Sequence, residues 1–282
     1  MQFASISGRL HQVISPGRVL DLNTASGGDL PANPHQAYER WDDVLAFAAG
    51  TRHENAHEVS EQMFGNPAPQ PRQVFAIGLN YADHAAESDF AVPESPPVFT
   101  KFVTSLTGPF GEIVVPPGQV DWEVELVTVM GRRAHRVAAE DAWSYVAGVS
   151  IGQDISERVL QRSGPVPQFS LGKSHPGFGP IGPVLVTPDE LPDRDDLELG
   201  CLINGEQVQK GYTRDMVFPV PELIARLSAV APLLPGDVIF TGTPSGVGLG
   251  RTPPRWLQAG DELVSYIRGV GEMRHRFVAP AT

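Results

Sequence analysis

Apolar positions fall in short runs that glycine and proline interrupt, and long amphipathic stretches are scarce. Val74-Phe75-Ala76-Ile77 stops at Gly78 and predicts a strand. Pro97 to Phe102, Gly148 to Ile151, Val238 to Thr241 and Glu262 to Ile267 predict others; the last two enter from the turns Pro235-Gly236-Asp237 and Gly260-Asp261. Phe3 to Ile14 reads as strand-like and ends at the turn Ser15-Pro16-Gly17. Helical signals are fewer. Pro34 opens a helix through Ala49 that Gly50 ends. Asn80 is expected to cap a short helix through Ser88, and Ala138 to Ala147 reads as another. Pro219 to Val230 is the clearest, with Pro221 and Glu222 in its first turn and Leu223, Leu227 and Val230 at helical spacing. The Pro-rich stretch 66–71 sets an expected boundary between a small N-terminal region, 1–70, and a main body, 71–282. A regular alternation of strand and helix is absent from the pattern, which argues against a doubly wound sheet.

One segment alternates strongly. In Val120-Asp121-Trp122-Glu123-Val124-Glu125-Leu126-Val127, a strand puts Asp121, Glu123 and Glu125 on one face and the apolar residues on the other. Two readings fit: a half-exposed strand with an acidic solvent face, or carboxylates converging on a divalent cation. Asp154 is the candidate third ligand; it serves equally as a helix N-cap, and Arg158 four residues on is placed to pair with it.

Composition narrows the choice. Asp+Glu is 33 against 21 Lys+Arg, a formal charge of −12, with no dense basic patch, so a nucleic-acid role is disfavoured. Cys201 is the single cysteine, which excludes an intramolecular disulfide and a Cys-based zinc site. Oxygen donors without sulfur favour a hard cation. No apolar run is long enough to span a membrane, and the start lacks a signal-peptide pattern, so a cytoplasmic protein is expected. The 29 Gly and 27 Pro argue against a helical bundle.

Three further segments carry chemistry. His84 and Glu87 are three apart, so one helical turn lets the carboxylate orient the imidazole as a base. Lys173 is the one lysine in Phe169 to His175, ahead of the breaker-dense Pro176 to Pro183, and can bind a carboxylate or an oxyanion. Thr241-Gly242-Thr243-Pro244-Ser245-Gly246-Val247-Gly248 follows an apolar strand and can cradle an anion with its amides. Each alone has a bland counterpart: a surface pair, a solvated lysine, an ordinary turn.

In order along the chain these segments resemble the fumarylacetoacetate hydrolase family. Gly78 to Glu87 follows its G-x-N-Y-x-x-H-x-x-E run, Asp121 to Leu126 its D-x-E-x-E-L strand, and Asp154 follows Tyr145-Val146-Ala147-Gly148. Gly172-Lys173-Ser174, Gly179 to Pro183, Asn204-Gly205-Glu206, Asp215 to Phe218 (with Val217 in place of the family's Ile), Val220 to Ile224 and Pro235 to Gly248 complete the set. Departures are Val159 where the family commonly has a second aspartate, Phe102 after Lys101, and His175-Pro176 after the lysine motif.

The resemblance implies a mainly β (α+β) body, a multi-sheet β roll with few short helices. It implies Glu123, Glu125 and Asp154 as ligands of Mg²⁺ or Mn²⁺ (Ca²⁺ as a crystal stand-in), with His84, Glu87 and Lys173 catalytic. Thr243, Gly242, Lys101 and Arg158 would hold substrate. The implied activity is metal-dependent hydrolysis of a C–C bond in a 1,3-dioxo acid such as an acylpyruvate, in a homodimer that uses neither nucleic acid nor membrane. Decarboxylation or isomerisation of oxaloacetate- or hydroxymuconate-type acids on the same platform, hydrolysis of a sugar-derived 2,4-dioxo acid, and a non-catalytic acid-binding role are the rivals.

Overall fold

The computed structural model describes residues 1–88 and 91–281; residue 282, the end of the expected main body, lies outside them. Three sheets and a few short helices make up the described chain, an α+β fold with strand dominant. The largest sheet runs, in order, His57–Glu58, Arg18–Asp21, Arg9–Ser15, Gln2–Ile6, Gly179–Val186, Val146–Gln153, Val124–Met130, Val238–Phe240, Val74–Ile77 and Val98–Thr100. A second sheet orders Glu206–Tyr212, Glu198–Ile203, Glu262–Ile267, Gly271–Val278 and Phe110–Val114. A two-stranded ladder joins Val120–Asp121 to Ser156–Glu157. The N-terminal hairpin continues the main sheet, because Gln2 and Phe3 pair with Val186 and Leu185.

The centre of the large sheet positions the site. Val124–Met130 and Val146–Gln153 are buried at every position. Neighbouring strands flank both edges and apolar residues cover both faces, so these sequences run apolar as parallel-sheet strands do. Glycine leaves room for the side chains of the neighbouring strands: a Cβ on Gly152 would fall 2.4 Å from Val127 Cγ2 and 2.7 Å from Phe240.

Most expected strands form, and Glu262–Ile267 spans the residues read from the sequence. Several local readings are corrected. The stretch 3–14 is a hairpin, Gln2–Ile6 and Arg9–Ser15, because Ser7 and Gly8 take positive φ. The helix from Pro34 is two, Pro34–Tyr38 and Trp41–Gly50. Ala139–Tyr145 is a 3₁₀ helix rather than an α-helix. Asn80 does not cap Ala82–Glu87: its side chain bonds the backbone of Phe218 and the Thr241 carbonyl instead.

Candidate active site

The alternating acidic segment is not a half-exposed strand. Its ladder breaks at Trp122-Glu123, and Asp121, Glu123 and Glu125 are all buried. Side-chain amides replace the ladder there: Gln153 Oε1 accepts from Glu123 N at 2.9 Å and Gln209 Oε1 from Val124 N at 3.0 Å. Glu123, Glu125 and Asp154 each bring one oxygen to a cluster in which these atoms lie within 4.8 Å of one another. Asp154 stands just past Val146–Gln153, with its amide bonded to the Glu123 carbonyl at 2.9 Å.

Three buried carboxylates in one place repel unless cations stand among them. Lys173 Nζ donates to Glu123 Oε2 (2.8 Å), Asp154 Oδ2 (2.7 Å) and Ser156 Oγ (2.7 Å). Arg158 reaches Glu123 Oε1 at 2.7 Å, and Lys101 Nζ donates to Asp154 Oδ1 at 2.7 Å. Burial alone would raise the Glu123 pKa, but Lys173 and Arg158 overrule it and hold the carboxyl at about 2. Glu125 has no such partner among the described residues; only the Gly242 amide donates to it, at 2.7 Å. Burial, reinforced by Asp154 and Glu123, pushes its pKa well above the ordinary value. A carboxylate left uncompensated beside two others, in an all-oxygen donor set, fits a hard divalent ion such as Mg²⁺ or Mn²⁺.

The turn after Val238–Phe240 clamps the protein's own carboxylates. Gly242 N donates to Glu125, Gly246 N to Glu87 Oε2 at 2.9 Å, and Gly248 N and Leu249 N to Asp121 at 2.6 and 3.0 Å. Glycine is needed at Gly246, where φ is 105° and a Cβ would lie 2.2 Å from the Val208 carbonyl oxygen.

His84 sits on the six-residue helix Ala82–Glu87. Its Nδ1 lies 2.7 Å from Glu87 Oε1; in the tautomer that donates from Nδ1 to this oxygen, Nε2 is left as the basic nitrogen. His84, Glu123, Arg158, Lys173 and Thr243 line one cavity of about 130 Å³. The lining also includes the apolar Leu79, Pro97, Phe99, Phe169 and Leu249, with the Phe99 and Phe169 rings edge to face at 5.6 Å.

Four expectations need adjustment. Lys101 does not line this cavity; its fully buried ammonium is spent on Asp154 and the Lys173 carbonyl, and it acts from behind the triad. The Gly242 amide is bonded to Glu125 and is not free for substrate. Arg158 pairs with Asp121 at 2.7 Å and with Glu123, not with Asp154, which stands outside the helix the i,i+4 spacing presumed. Thr243 reaches the cavity, but its hydroxyl donates to the Val124 carbonyl and accepts from Gln209 Nε2, both at 2.8 Å. Gln153 and Gln209, which hold the backbone of Glu123 and Val124, are not among the residues the motifs mark; the signal for Gln153 is a polar residue ending a mainly apolar run beside Asp154, and none marks Gln209.

Comparison with known proteins agrees with this picture. The model of the fumarylacetoacetate hydrolase C-terminal family matches residues 73–278. The mitochondrial oxaloacetate tautomerase Fahd2a of Rattus norvegicus is 40% identical over 267 residues, 93% of this chain and 84% of that protein. A crystal structure from Mycobacterium smegmatis, described as a "putative HpcE protein", superposes with a TM-score of 0.95 at 54% identity over the full length of both chains. Maleylpyruvate hydrolase from Sphingobium, in complex with manganese (II) ion and pyruvate, superposes at 0.82 with 28% identity over the full length of both.

Proposed function

The chain belongs to the fumarylacetoacetate hydrolase family, and we propose that within it this chain is a divalent-metal-dependent hydrolase that cleaves a C–C bond in a 1,3-dioxo acid of the acylpyruvate type. The observation that carries the reading is the His84–Glu87 pair, whose imidazole faces the same cavity as Glu123 and Lys173. Glu123, Glu125 and Asp154 would hold the ion, which supplies Lewis acidity toward the carboxylate and 2-oxo oxygens of the substrate. His84 Nε2 takes a proton from water, and the imidazolium is stabilised by Glu87. The water oxygen bonds to the distal carbonyl carbon. The electron pair of the broken C–C bond goes to the carbon next to the 2-oxo group, which is protonated to give pyruvate, and the acyl part leaves as a carboxylic acid. Lys173, already among the carboxylates, adds positive charge where the leaving fragment becomes anionic. Pyruvate in the Sphingobium complex supports this, since it is the small acid such a cleavage releases.

A second reading is the keto–enol tautomerisation of oxaloacetate, favoured by relatives of that name at 40% identity over 93% of the chain. The same His84 Nε2 would then carry a proton between carbon and oxygen. One experiment separates the two: acetylpyruvate and oxaloacetate are incubated with the Mn²⁺-loaded protein and the products followed by NMR and enol absorbance. Hydrolysis predicts acetate plus pyruvate in a reaction that EDTA stops. Faster enol decay with no change of mass would replace it with tautomerisation, and CO₂ release with decarboxylation. The hydrolase reading carries with it Mg²⁺ as the working ion, a homodimer, a place in aromatic-compound breakdown, and a cytoplasmic site; among the described residues no helix is long and apolar enough to cross a membrane. It also keeps 71–282 as the catalytic body and 1–70 as a smaller N-terminal unit.

A further inference from the structure

One buried carboxylate has no part in the reaction proposed above. Asp121 ends the short strand Val120–Asp121, is wholly buried and does not line the cavity. Donors converge on both of its oxygens. Oδ1 accepts from Trp122 N at 2.8 Å and from Gly248 N at 2.6 Å. Oδ2 accepts from Leu249 N at 3.0 Å and from Arg158 Nε and Nη2 at 2.8 and 2.7 Å. A carboxylate offers about four lone-pair sites and no donor, which an amide cannot match. The contact is passed on in two directions. Arg158 carries it to the ion cluster, since the same Nη2 lies 2.7 Å from Glu123 Oε1. The 246–250 turn carries it to the base. Gly246 N donates to Glu87 Oε2 at 2.9 Å, and a Cβ on Gly250 would fall 2.7 Å from that oxygen. The turn lies as close to Asp121, because a Cβ on Gly248 would fall 2.8 Å from Oδ1. Glu87 then meets His84 Nδ1.

We propose that Asp121 is a positioning residue which, through the 246–250 turn and Glu87, fixes where His84 stands relative to Glu123. The inference rests on the reading above, in which His84 moves the proton, and it holds for cleavage and tautomerisation alike. A carboxylate that only stabilised the fold would leave the rate of the folded enzyme unchanged.

The test is Asp121→Asn in the full-length, Mn²⁺-loaded protein, assayed on acetylpyruvate or oxaloacetate, whichever wild type consumes in an EDTA-sensitive reaction. In either orientation the new NH₂ faces one turn amide, Leu249 N or Gly248 N, donor against donor. At saturating Mn²⁺ and substrate, kcat falls by about 10²-fold, the cost of misplacing a reacting group by about 1 Å. The deciding measurement is the double variant. Asp121→Asn adds no further loss of kcat to His84→Ala, because no base is left to misplace. Wild-type kcat in Asp121→Asn, or a loss of the same factor in the His84→Ala background, overturns the assignment and leaves His84 as the base. A melting curve checks that each variant is folded at the assay temperature. If Asp121→Asn is not, Gly250→Ala disturbs the same link from the Glu87 end. It is expected to lower kcat by about tenfold or more in wild type and not in His84→Ala, and wild-type kcat in Gly250→Ala overturns the assignment. If wild type consumes neither acid, the reading of the base fails and the assignment of Asp121 with it.

Discussion

The carboxylate cluster and the base beside it are built differently. On one side, Glu123, Glu125 and Asp154 project from buried strand ends, and strand ladders, two glutamine amides, two lysines and an arginine fix their positions. On the other, His84 rides a six-residue helix without a side-chain cap. Asn80 ties that helix to Phe218 and Thr241, and Glu87 ties it to the Gly246 amide. Helices this short have little stability of their own, so these few anchors decide where the imidazole stands. An ion site is thus held ready by the sheet, whereas the base is delivered by a segment with few contacts. Loss of a group from the first side should abolish ion binding, and loss from the second should spare it.

The largest effect is expected at Glu125. Glu125→Gln keeps the shape but removes the one carboxylate of the three that, among the described residues, has no ion pair to a protein cation. Stoichiometric Mn²⁺ binding should disappear in titration calorimetry, and turnover should fall by about 10³-fold or more, the worth of several kcal/mol of Lewis-acid stabilisation. The stability of the ion-free protein should move the other way. The folded pKa of Glu125 is raised above the ordinary 4.5, so the fold favours the protonated form and loses stability as pH rises above 4.5. Glutamine is neutral throughout. The ion-free variant should melt higher than wild type at neutral pH, and the difference should shrink as pH falls toward 4.5. A lower melting temperature at neutral pH would mean that the wild-type carboxylate is already compensated.

The helix side should give a different signature. His84→Ala is expected to cut turnover by about 10²–10⁴-fold while the Mn²⁺ dissociation constant stays put. Glu87→Gln sharpens this. Glu87 accepts twice, from the imidazole and from Gly246 N, and an amide has only one oxygen. If that oxygen stays with Gly246, the amide NH₂ faces Nδ1 and moves the ring proton to Nε2, where it blocks the base. Turnover should fall by about 10²-fold or more at unchanged Mn²⁺ affinity, on the precedent that a wrong tautomer alone is costly. Wild-type turnover in Glu87→Gln would show either that the amide oxygen has stayed with Nδ1 or that Nε2 is not the base, and His84→Ala decides between them. Loss of Mn²⁺ binding in either variant would erase the distinction between the two sides.

How much of this the sequence carries differs between the sides as well. Apolar runs between breakers announce the strands, and Leu223, Leu227 and Val230 announce the helix Val220–Val230. Acidic alternation, one lysine and an i,i+3 His–Glu pair, taken in order, suffice for the family and for the residues of the metal cluster. What stays hidden is partnership. Alternation at Asp121 to Glu125 looks like a solvent face because a sequence does not say that both edges of the next strand are paired and both faces covered. The 242–249 turn looks like an anion cradle, but its amides are taken by the protein's own side chains, Glu125, Glu87 and Asp121. Backbone amides leave no trace in composition, so nothing in the sequence says whether they are free. The resemblance assigns Lys101 and Arg158 to the substrate; which carboxylate each one serves is set by the fold.

Thr243 is where that difference can be measured most finely, and where the smallest effect is expected. The resemblance assigns it to substrate, and it does line the cavity. A hydroxyl has one proton to donate, and that of Thr243 goes to the Val124 carbonyl at 2.8 Å. One of its lone pairs accepts from Gln209 Nε2, so what remains toward the cavity is an acceptor. A substrate carboxylate is an acceptor too, so it gains nothing from Thr243 unless the bond to Val124 breaks. Thr243→Val keeps the shape and removes the hydroxyl. If the hydroxyl belongs to the scaffold, the variant should lose about 1 kcal/mol of stability, the usual worth of one such hydrogen bond. Gln209 would keep its bond to the Pro244 carbonyl, and KM should stay within about threefold of wild type, under 1 kcal/mol on the scale where tenfold is 1.4. If the hydroxyl instead turns to the substrate, KM rises by about tenfold with little change in melting temperature, and Thr243 moves from the strand-built side of the cavity to the side that meets the ligand.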